Sequence, residues 1–191
     1  MKKRTAIIGT LVSLLPMAQP LMLGTGAVLT SVAVILSVSE QAQAQNAVFY
    51  YNRGLDKSNA GDCYGAISDY TKAIEINPRD ADFYNNRGYC KNELKDYQGA
   101  ILDLNRAIEI NPKNANAYYN RARSKGFLGD PYGSISDNTK AIEINPKDSA
   151  AYRNRAIDKR EIGDMKGACS DLRKASSLGD EMASDQLKEL C

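Results

Sequence analysis

The sequence predicts an all-α fold, a solenoid of helical hairpins, because one set of residues returns at a fixed interval. The segment at residues 72–78 returns almost unchanged at 106–112 and at 140–146, 34 residues later each time. Tyrosine, asparagine and arginine recur in the same register, as at Tyr50 and Arg53. A period of this length is the signature of a repeated pair of antiparallel helices.

Four units fit this period, and a short segment follows them. Each unit is predicted to hold two helices, helix A and helix B, with a turn between them. In the first three units a proline ends helix B, where a helix cannot continue. We expect a capping helix at residues 181–190, with Ala183, Leu187 and Leu190 as its apolar stripe. The predicted units are 47–80, 81–114, 115–148 and 149–182.

The repeated residues resemble the tetratricopeptide repeat (TPR) family, and the resemblance covers about three quarters of the chain. Unit three is looser, with the polar Asn138 at a bulky position, and unit four lacks the terminal proline. The resemblance implies a right-handed α-solenoid of four helix-turn-helix units plus the C-terminal capping helix. In unit one the family pattern is supplied by Tyr50, Gly54, Ala66, Tyr70, Ala73 and Pro78.

A hydrophobic N-terminal segment, residues 1–44, is predicted to be a signal peptide or a membrane anchor. A basic cluster at residues 2–4 precedes residues 5–39, which carry no charge. Residues 42–44 offer the small-x-small pattern of a signal peptidase site, whereas the unusual length favours an uncleaved anchor. In both cases the positive-inside rule places the TPR domain, residues 45–191, outside the cytoplasm.

The composition argues against nucleic-acid binding and against catalysis. Residues 45–191 hold 22 basic and 22 acidic residues, because three of the 25 bases and one of the 23 acids precede them. A phosphate-binding surface needs a basic surplus that this domain lacks. The chain also has no histidine, the commonest general base and metal ligand. We expect no catalytic residue, no metal and no cofactor, and hence no enzyme.

Each unit repeats an arginine on helix A and an aspartate sixteen residues later on helix B. Since the turn lies halfway between them, the two side chains are level on antiparallel helices, and we predict a series of ion pairs. Arginines that instead face a ligand are the alternative. The four pairs are Arg53 with Asp69, Arg87 with Asp103, Arg121 with Asp137, and Arg155 with Asp171.

In the TPR family helix A lines a concave groove, and the resemblance places asparagines, tyrosines and arginines there. The asparagines would hydrogen-bond an extended peptide or would tie one helix A to the next, and the sequence leaves both open. The tyrosines suit a protein interface, and Arg123, Arg153 and Arg160 favour an acidic group. The predicted partner-binding residues are Tyr51, Asn52, Asn85, Asn86, Tyr89, Tyr119, Asn120, Arg123, Arg153 and Asn154.

The function predicted from these features is a protein-interaction scaffold outside the cytoplasm, with a protein or peptide partner and membrane contact only through the N-terminal segment. TPR proteins that dock chaperone C-termini share a clamp of lysine, arginine and asparagine, and only Asn86 matches it here. A chaperone adaptor is therefore not expected. The alternative is a membrane-tethered assembly or structural factor whose uncleaved N-terminal helix contacts other membrane proteins.

Four cysteines follow the hydrophobic segment, in what is predicted to be an oxidising compartment. Residues equidistant from a turn lie opposite each other on antiparallel helices. Cys63 and Cys90 are equidistant from the turn between units one and two, and Cys169 and Cys191 from the turn before the capping helix. We predict these two disulfides. Four free thiols are the alternative, because level height does not make side chains face each other.

Overall fold

The structure is a computed structural model that describes the backbone of residues 27–191 and the side chains of residues 43–191. It divides into residues 1–39 and a repeat region, residues 40–191. In the described part of the chain every element is an α-helix, as the sequence predicts. The helices are α1 (Ala27–Asn59), α2 (Cys63–Ile76), α3 (Ala81–Glu93), α4 (Tyr97–Ile110), α5 (Ala115–Phe127), α6 (Pro131–Ile144), α7 (Ser149–Glu161), α8 (Met165–Ser177) and α9 (Glu181–Leu190).

The helices of the repeat region pack in chain order, which is the arrangement of an α-solenoid. From α2 onward each helix contacts the next, and α5 also contacts α3 and α7, the A helices on either side of it. The core between them consists mainly of alanines, with Tyr70, Leu104 and Leu172 as large buried side chains. A Cβ built on Gly54 would lie only 2.6 Å from the Tyr70 ring, so the glycine permits close helix approach, as predicted.

Each B helix begins at an aspartate that caps its first turn. Asp62 accepts a hydrogen bond from the backbone N–H of Gly65 at 2.9 Å, and a Cβ on Gly65 would overlap that carboxylate. The cap satisfies a backbone donor that a helix leaves free at its start. Asp96, Asp130 and Asp164 cap the other three B helices in the same way.

The predicted ion pairs between helix A and helix B are confirmed in all four units. In unit two, Arg87 donates from Nε and Nη2 to the two oxygens of Asp103, at 2.9 and 2.6 Å. A lysine one turn after the arginine reaches the same carboxylate, as Lys91 does at 2.7 Å. The sequence analysis did not predict this second cation, which recurs as Lys57, Lys125 and Lys159.

Three of the arginines also bind the preceding unit. The Nη1 group of Arg121 donates to Asn105 Oδ1 on the preceding helix B at 2.7 Å. Arg87 and Arg155 make the corresponding bond to Thr71 and Thr139, each at 3.0 Å. We call this two-sided contact the arginine clamp. It joins the two helices of one unit and fastens that unit to the one before it.

The ion pair of unit one lowers the pKa of its aspartate, Asp69. Hydrogen bonds from Arg53 and then from Lys57 lower the pKa of Asp69 to about 2, although burial acts in the opposite direction. A carboxyl group whose pKa is lowered on folding stabilises the folded state above its unfolded pKa of about 3.9. That contribution is lost as the pH falls toward the folded pKa of about 2.

The C-terminal helix α9 covers the last unit, as the fold class predicts. Ala183 is fully buried, and Leu187 and Leu190 pack with it against the cluster around Leu172. A disulfide joins Cys169 on α8 to Cys191, whose Cα atoms are 5.9 Å apart.

The other predicted disulfide, between Cys63 and Cys90, is absent from the structure, where both are buried free thiols. The two cysteines share one apolar cluster, but the thiol of Cys90 donates to Ser58 Oγ at 3.3 Å. Equal distance from the turn therefore places the two cysteines level on their helices but is not sufficient for a disulfide. Burial raises the pKa of Cys90 to about 12, which disfavours the thiolate that disulfide chemistry requires.

The predicted signal peptide or anchor, residues 1–44, lies mostly outside the described residues. Helix α1 begins at Ala27, whereas the sequence analysis placed the start of the first helix A at Ala47. Within residues 27–191, no helix combines the length and the apolar composition that a membrane span requires.

Candidate functional site

A cavity of about 500 Å³ lies along the A helices of the first three units, and we call it the A-helix groove. Three of the residues that line it were not predicted from the sequence, namely Ser58, Asn59 and Tyr70. Ser58 and Asn59 lie in the last turn of α1, and Tyr70 reaches the groove from helix B through the gap left by Gly54. The predicted residues that line the groove are Asn85, Asn86, Tyr89, Tyr119 and Asn120.

A chain of hydrogen bonds runs through the groove from one helix A to the next. Asn120 on α5 donates to Asn85 Oδ1 on α3 at 3.1 Å, and Asn85 donates to Asn86 Oδ1 at 3.2 Å. Asn86 then donates to the hydroxyl of Tyr51 on α1 at 2.9 Å. Because Asn85 and Asn120 are buried, the geometry favours the structural reading for them, in which these amides tie successive A helices together.

Other polar groups of the groove remain available to a partner. Tyr89 is 37% exposed, and neither its hydroxyl nor the side chain of the exposed Asn116 forms a hydrogen bond with any residue that the structure describes. At the floor of the groove the hydroxyl of Tyr70 lies beside Ser58 without a hydrogen bond of good geometry to residues 43–191, and because Tyr70 is fully buried this hydroxyl is not open to a partner. Desolvation raises the pKa of Tyr70, so its hydroxyl stays a neutral donor.

The predicted arginines do not converge on an open site. Arg153 donates to Asp180, the N-cap of α9, at 2.8 Å, and Arg123 pairs with Glu93 at 3.1 Å. Two of the three arginines expected to attract an acidic group are thus already neutralised, and that expectation is wrong for them. Arg153 instead fixes the capping helix to unit four.

The remaining predicted residues do not lie together in one site. Asn52 is exposed on α1 and lines neither the A-helix groove nor a second cavity between α5 and α7. Asn154 and Arg123 line that second cavity, of about 290 Å³, formed between α5 and α7 with the start of α6. Its most unusual member is Asp158, which the sequence analysis missed. The available signal was its place in the repeat, where units two and three hold Cys90 and Ser124, although unit one also holds an aspartate, Asp56.

Asp158 is a carboxylate inside the contact between units three and four. Only 6% of the residue is exposed, and burial raises its pKa to about 6, with a further contribution from Glu161. Hydrogen bonds from Ser134 and Asn138 act in the opposite direction but do not compensate for burial. The charged form of Asp158 therefore destabilises the folded protein at neutral pH.

Replacing Asp158 with asparagine should stabilise the protein in a pH-dependent way. Because the folded pKa is raised, the contribution of Asp158 to the stability of the wild type is highest below the unfolded pKa and falls as the pH rises through about 6. At about pH 8 the free energy of unfolding of Asp158→Asn should exceed that of wild type by on the order of 1 to 2 kcal/mol, because the neutral amide does not carry the desolvation cost of the charged carboxylate.

Urea denaturation of both proteins from about pH 5 to about pH 8 measures this difference, which should shrink toward the acidic end. Glu75→Gln, which removes an exposed carboxylate on α2, is the charge-matched control and should show no such trend. A difference between Asp158→Asn and wild type that is independent of pH would contradict the assignment of the raised pKa to Asp158.

Comparison with known proteins agrees with this architecture. Residues 81–114 and residues 104–133 each match a family model described as tetratricopeptide repeat. No curated protein matches the chain. The chain is similar to a crystal structure of MamA, with a TM-score of 0.67 and 24% identity over 78% of this chain and 86% of that one.

Two further solved structures share the fold. The TPR domain of Arabidopsis OM64 is 24% identical, with a TM-score of 0.62 over 62% of this chain and 98% of that one. The first TPR of Spaghetti (RPAP3), bound to the HSP90 peptide SRMEEVD, is 22% identical, with a TM-score of 0.62 over 63% of this chain and 95% of that one. The repeated sequence, the consecutive helix pairs and these similarities show that the described chain has the fold of tetratricopeptide repeat proteins, and residues 81–133 match the models of that family.

Proposed function

We propose that the protein is a non-catalytic interaction scaffold whose A-helix groove binds an extended segment of a protein partner. The observation that carries the proposal is a groove with unpaired polar groups on a hydrogen-bonded framework. Tyr89 and Asn116 present donors and acceptors at its surface, while Asn85 and Asn120 hold the A helices in place. A framework that is already ordered does not have to be ordered on binding, which favours affinity.

The similar structures support a peptide as the ligand class. The RPAP3 repeat domain, which has the same fold, is bound to an HSP90 peptide. The present groove lacks the cations of the chaperone-docking clamp, since Tyr51, Leu55, Asn116 and Asn120 occupy those positions. Its polar and aromatic lining instead suits contacts to a peptide backbone and to apolar side chains.

Replacing Tyr89 with serine should weaken partner binding without unfolding the protein. The ring is 37% exposed, so its loss removes contact area from the groove more than it removes core packing. The full-length chain is used as bait for the extracytoplasmic proteins of its source cells, and captured proteins are identified by mass spectrometry. We expect a partner retained by wild type to be reduced about ten-fold by Tyr89→Ser, equivalent to about 1.4 kcal/mol.

The matched control is Tyr132→Ser, which removes a tyrosine that is 71% exposed on helix B, away from the groove. It should capture the partner as wild type does, and both variants should keep the wild-type melting temperature. Equal loss of the partner in the two variants, or undiminished capture by Tyr89→Ser, would refute binding in the groove.

We also propose that the repeats lie outside the cytoplasm. The basic cluster followed by a long charge-free segment supports export. The disulfide between Cys169 and Cys191 supports it independently, because structural disulfides persist in oxidising compartments and are rare in the cytosol.

Peptide mapping of the protein isolated from its source without reductant tests this location. We expect Cys169 and Cys191 in one cross-linked peptide, with Cys63 and Cys90 alkylated after unfolding. Reducing the bond should then lower the free energy of unfolding by roughly 3 kcal/mol, from the loop that it closes. Alkylation of all four cysteines in the isolated protein would count against an oxidising compartment.

One observation favours the alternative of a membrane-tethered assembly or structural factor. Helix α1 runs from Ala27 to Asn59 and includes residues 42–44, the predicted cleavage site. The intact mass of the isolated protein separates the two functions. Loss of residues 1–44 supports the exported scaffold, and a full-length mass supports the tethered factor.

A further inference from the structure

The contact between successive A helices has a different composition at each of three junctions. At the first junction the thiol of Cys90 donates to Ser58 Oγ at 3.3 Å. At the second, Ser124 donates to Asn92 Oδ1 at 2.7 Å. At the third, the residue equivalent to Ser58 and Asn92 is Gly126, which has no side chain to offer.

The missing side chain leaves the cavity of about 290 Å³ between α5 and α7. A Cβ built on Gly126 would lie 3.4 Å from Asp158 Oδ1, so this oxygen borders the space that a side chain would fill. Ala122, Phe127 and Ile157 give the cavity apolar walls. The site thus combines an apolar channel with a carboxylate oxygen.

One oxygen of Asp158 is satisfied and the other is not. Oδ2 accepts from Ser134 Oγ at 2.6 Å and from Asn138 Nδ2 at 3.4 Å. Oδ1 makes no hydrogen bond or ion pair with any residue from 43 to 191, although 94% of the residue is buried, since its exposed fraction is 6%. Oδ1 is not one of the fully buried unpaired atoms, so it is reached from the cavity, and this open acceptor indicates a place for a donor from outside the chain.

The charges around the cavity select a cation. Glu161 lines the cavity, and Glu161 and Asp130 both raise the pKa of Asp158, after the larger effect of burial. The lining residue that carries a positive charge is Arg123, and its guanidinium is bound to Glu93 at 3.1 Å. The electrostatic potential in the cavity is therefore net negative at neutral pH.

The geometry of the open acceptor distinguishes lysine from arginine. A guanidinium binds a carboxylate best through two parallel hydrogen bonds, and Asp158 Oδ2 is already bound to Ser134. A lysine ammonium is a compact point charge on a flexible apolar stem, which suits one open oxygen at the end of an apolar channel. The cavity volume of about 290 Å³ is at the lower end of the volumes of ligand pockets, so the cavity suits a single side chain.

We propose that the cavity between units three and four binds a lysine side chain of the partner, with its ammonium group donating to Asp158 Oδ1. The methylene groups pack against Ala122 and Ile157. This inference rests on the proposed function, because it assigns a side-chain pocket to a peptide held on the same A helices.

The experiment uses the full-length chain and three probes, the Nα-acetyl N-methylamides of lysine, norleucine and arginine. The ¹³Cγ chemical shift of Asp158 is followed against pH at increasing probe concentration. The lysine probe should lower the pKa of Asp158 by about one unit at saturation, as a nearby opposite charge does. The norleucine probe, which has no charge, should leave that pKa unchanged.

Gly126→Ser restores the side chain present at the first junction and should reduce the affinity for the lysine probe by about ten-fold. Gly126→Ala is the second variant, because its methyl group also narrows the cavity beside Asp158 Oδ1 and alanine favours the helix. Glu75→Gln, on an exposed face of α2, should bind the lysine probe as wild type does. An unchanged pKa with lysine, or an equal shift with arginine or norleucine, would overturn the proposal.

The experiments can refute the lysine pocket and binding in the A-helix groove independently of each other. A partner that is captured equally by wild type and Gly126→Ser, but is lost with Tyr89→Ser, would refute the pocket and support the groove. A partner that no groove substitution affects would refute the proposed function itself, whereas the lysine probe would still report on the pocket.

Discussion

The arginine clamp is the contact on which the repeat region depends. In each unit an arginine binds the aspartate of its own helix B, and in units two to four it also binds a threonine or asparagine of the preceding helix B. The guanidinium also lies over a tyrosine ring one turn earlier, at 5.6 Å for Arg121 over Tyr118. The core offers mostly alanine, which buries little apolar area per residue, so a directional polar contact sets the spacing of the helices.

This regular framework leaves the A helices free to differ from one another. The B helices repeat the Asp cap and the clamp aspartate, whereas the A-helix junctions hold a thiol and hydroxyl, a hydroxyl and amide, and a carboxylate beside Gly126. Both cavities lie at these junctions. The two proposed binding sites therefore lie where the repeats depart from their own pattern, and the repeated positions supply the support.

The sequence predicted the features that depend on spacing along helices. The 34-residue period and the sixteen-residue Arg–Asp interval each fix a height on antiparallel helices, which is why the fold and the Arg–Asp half of the clamp followed from the sequence, whereas the bond to the preceding unit did not. Features that depend on side-chain direction did not follow. Cys90 donates to Ser58 and forms no disulfide with Cys63, and Asn120 bonds Asn85 rather than Asn86, which stands 34 residues before it. The open oxygen of Asp158 depends on the absent side chain at Gly126, which shows in the sequence only when the repeats are compared position by position.

A double-mutant cycle between Arg121 and Asn105 tests the clamp most directly, because their 2.7 Å hydrogen bond joins two units. The free energy of unfolding is measured for wild type, Arg121→Met, Asn105→Ala and the double variant. We expect a coupling energy between Arg121 and Asn105 of about 1 kcal/mol or more, typical of a hydrogen bond to a charged group. Effects that add to within about 0.3 kcal/mol would show that the arginine does not fasten one unit to the next.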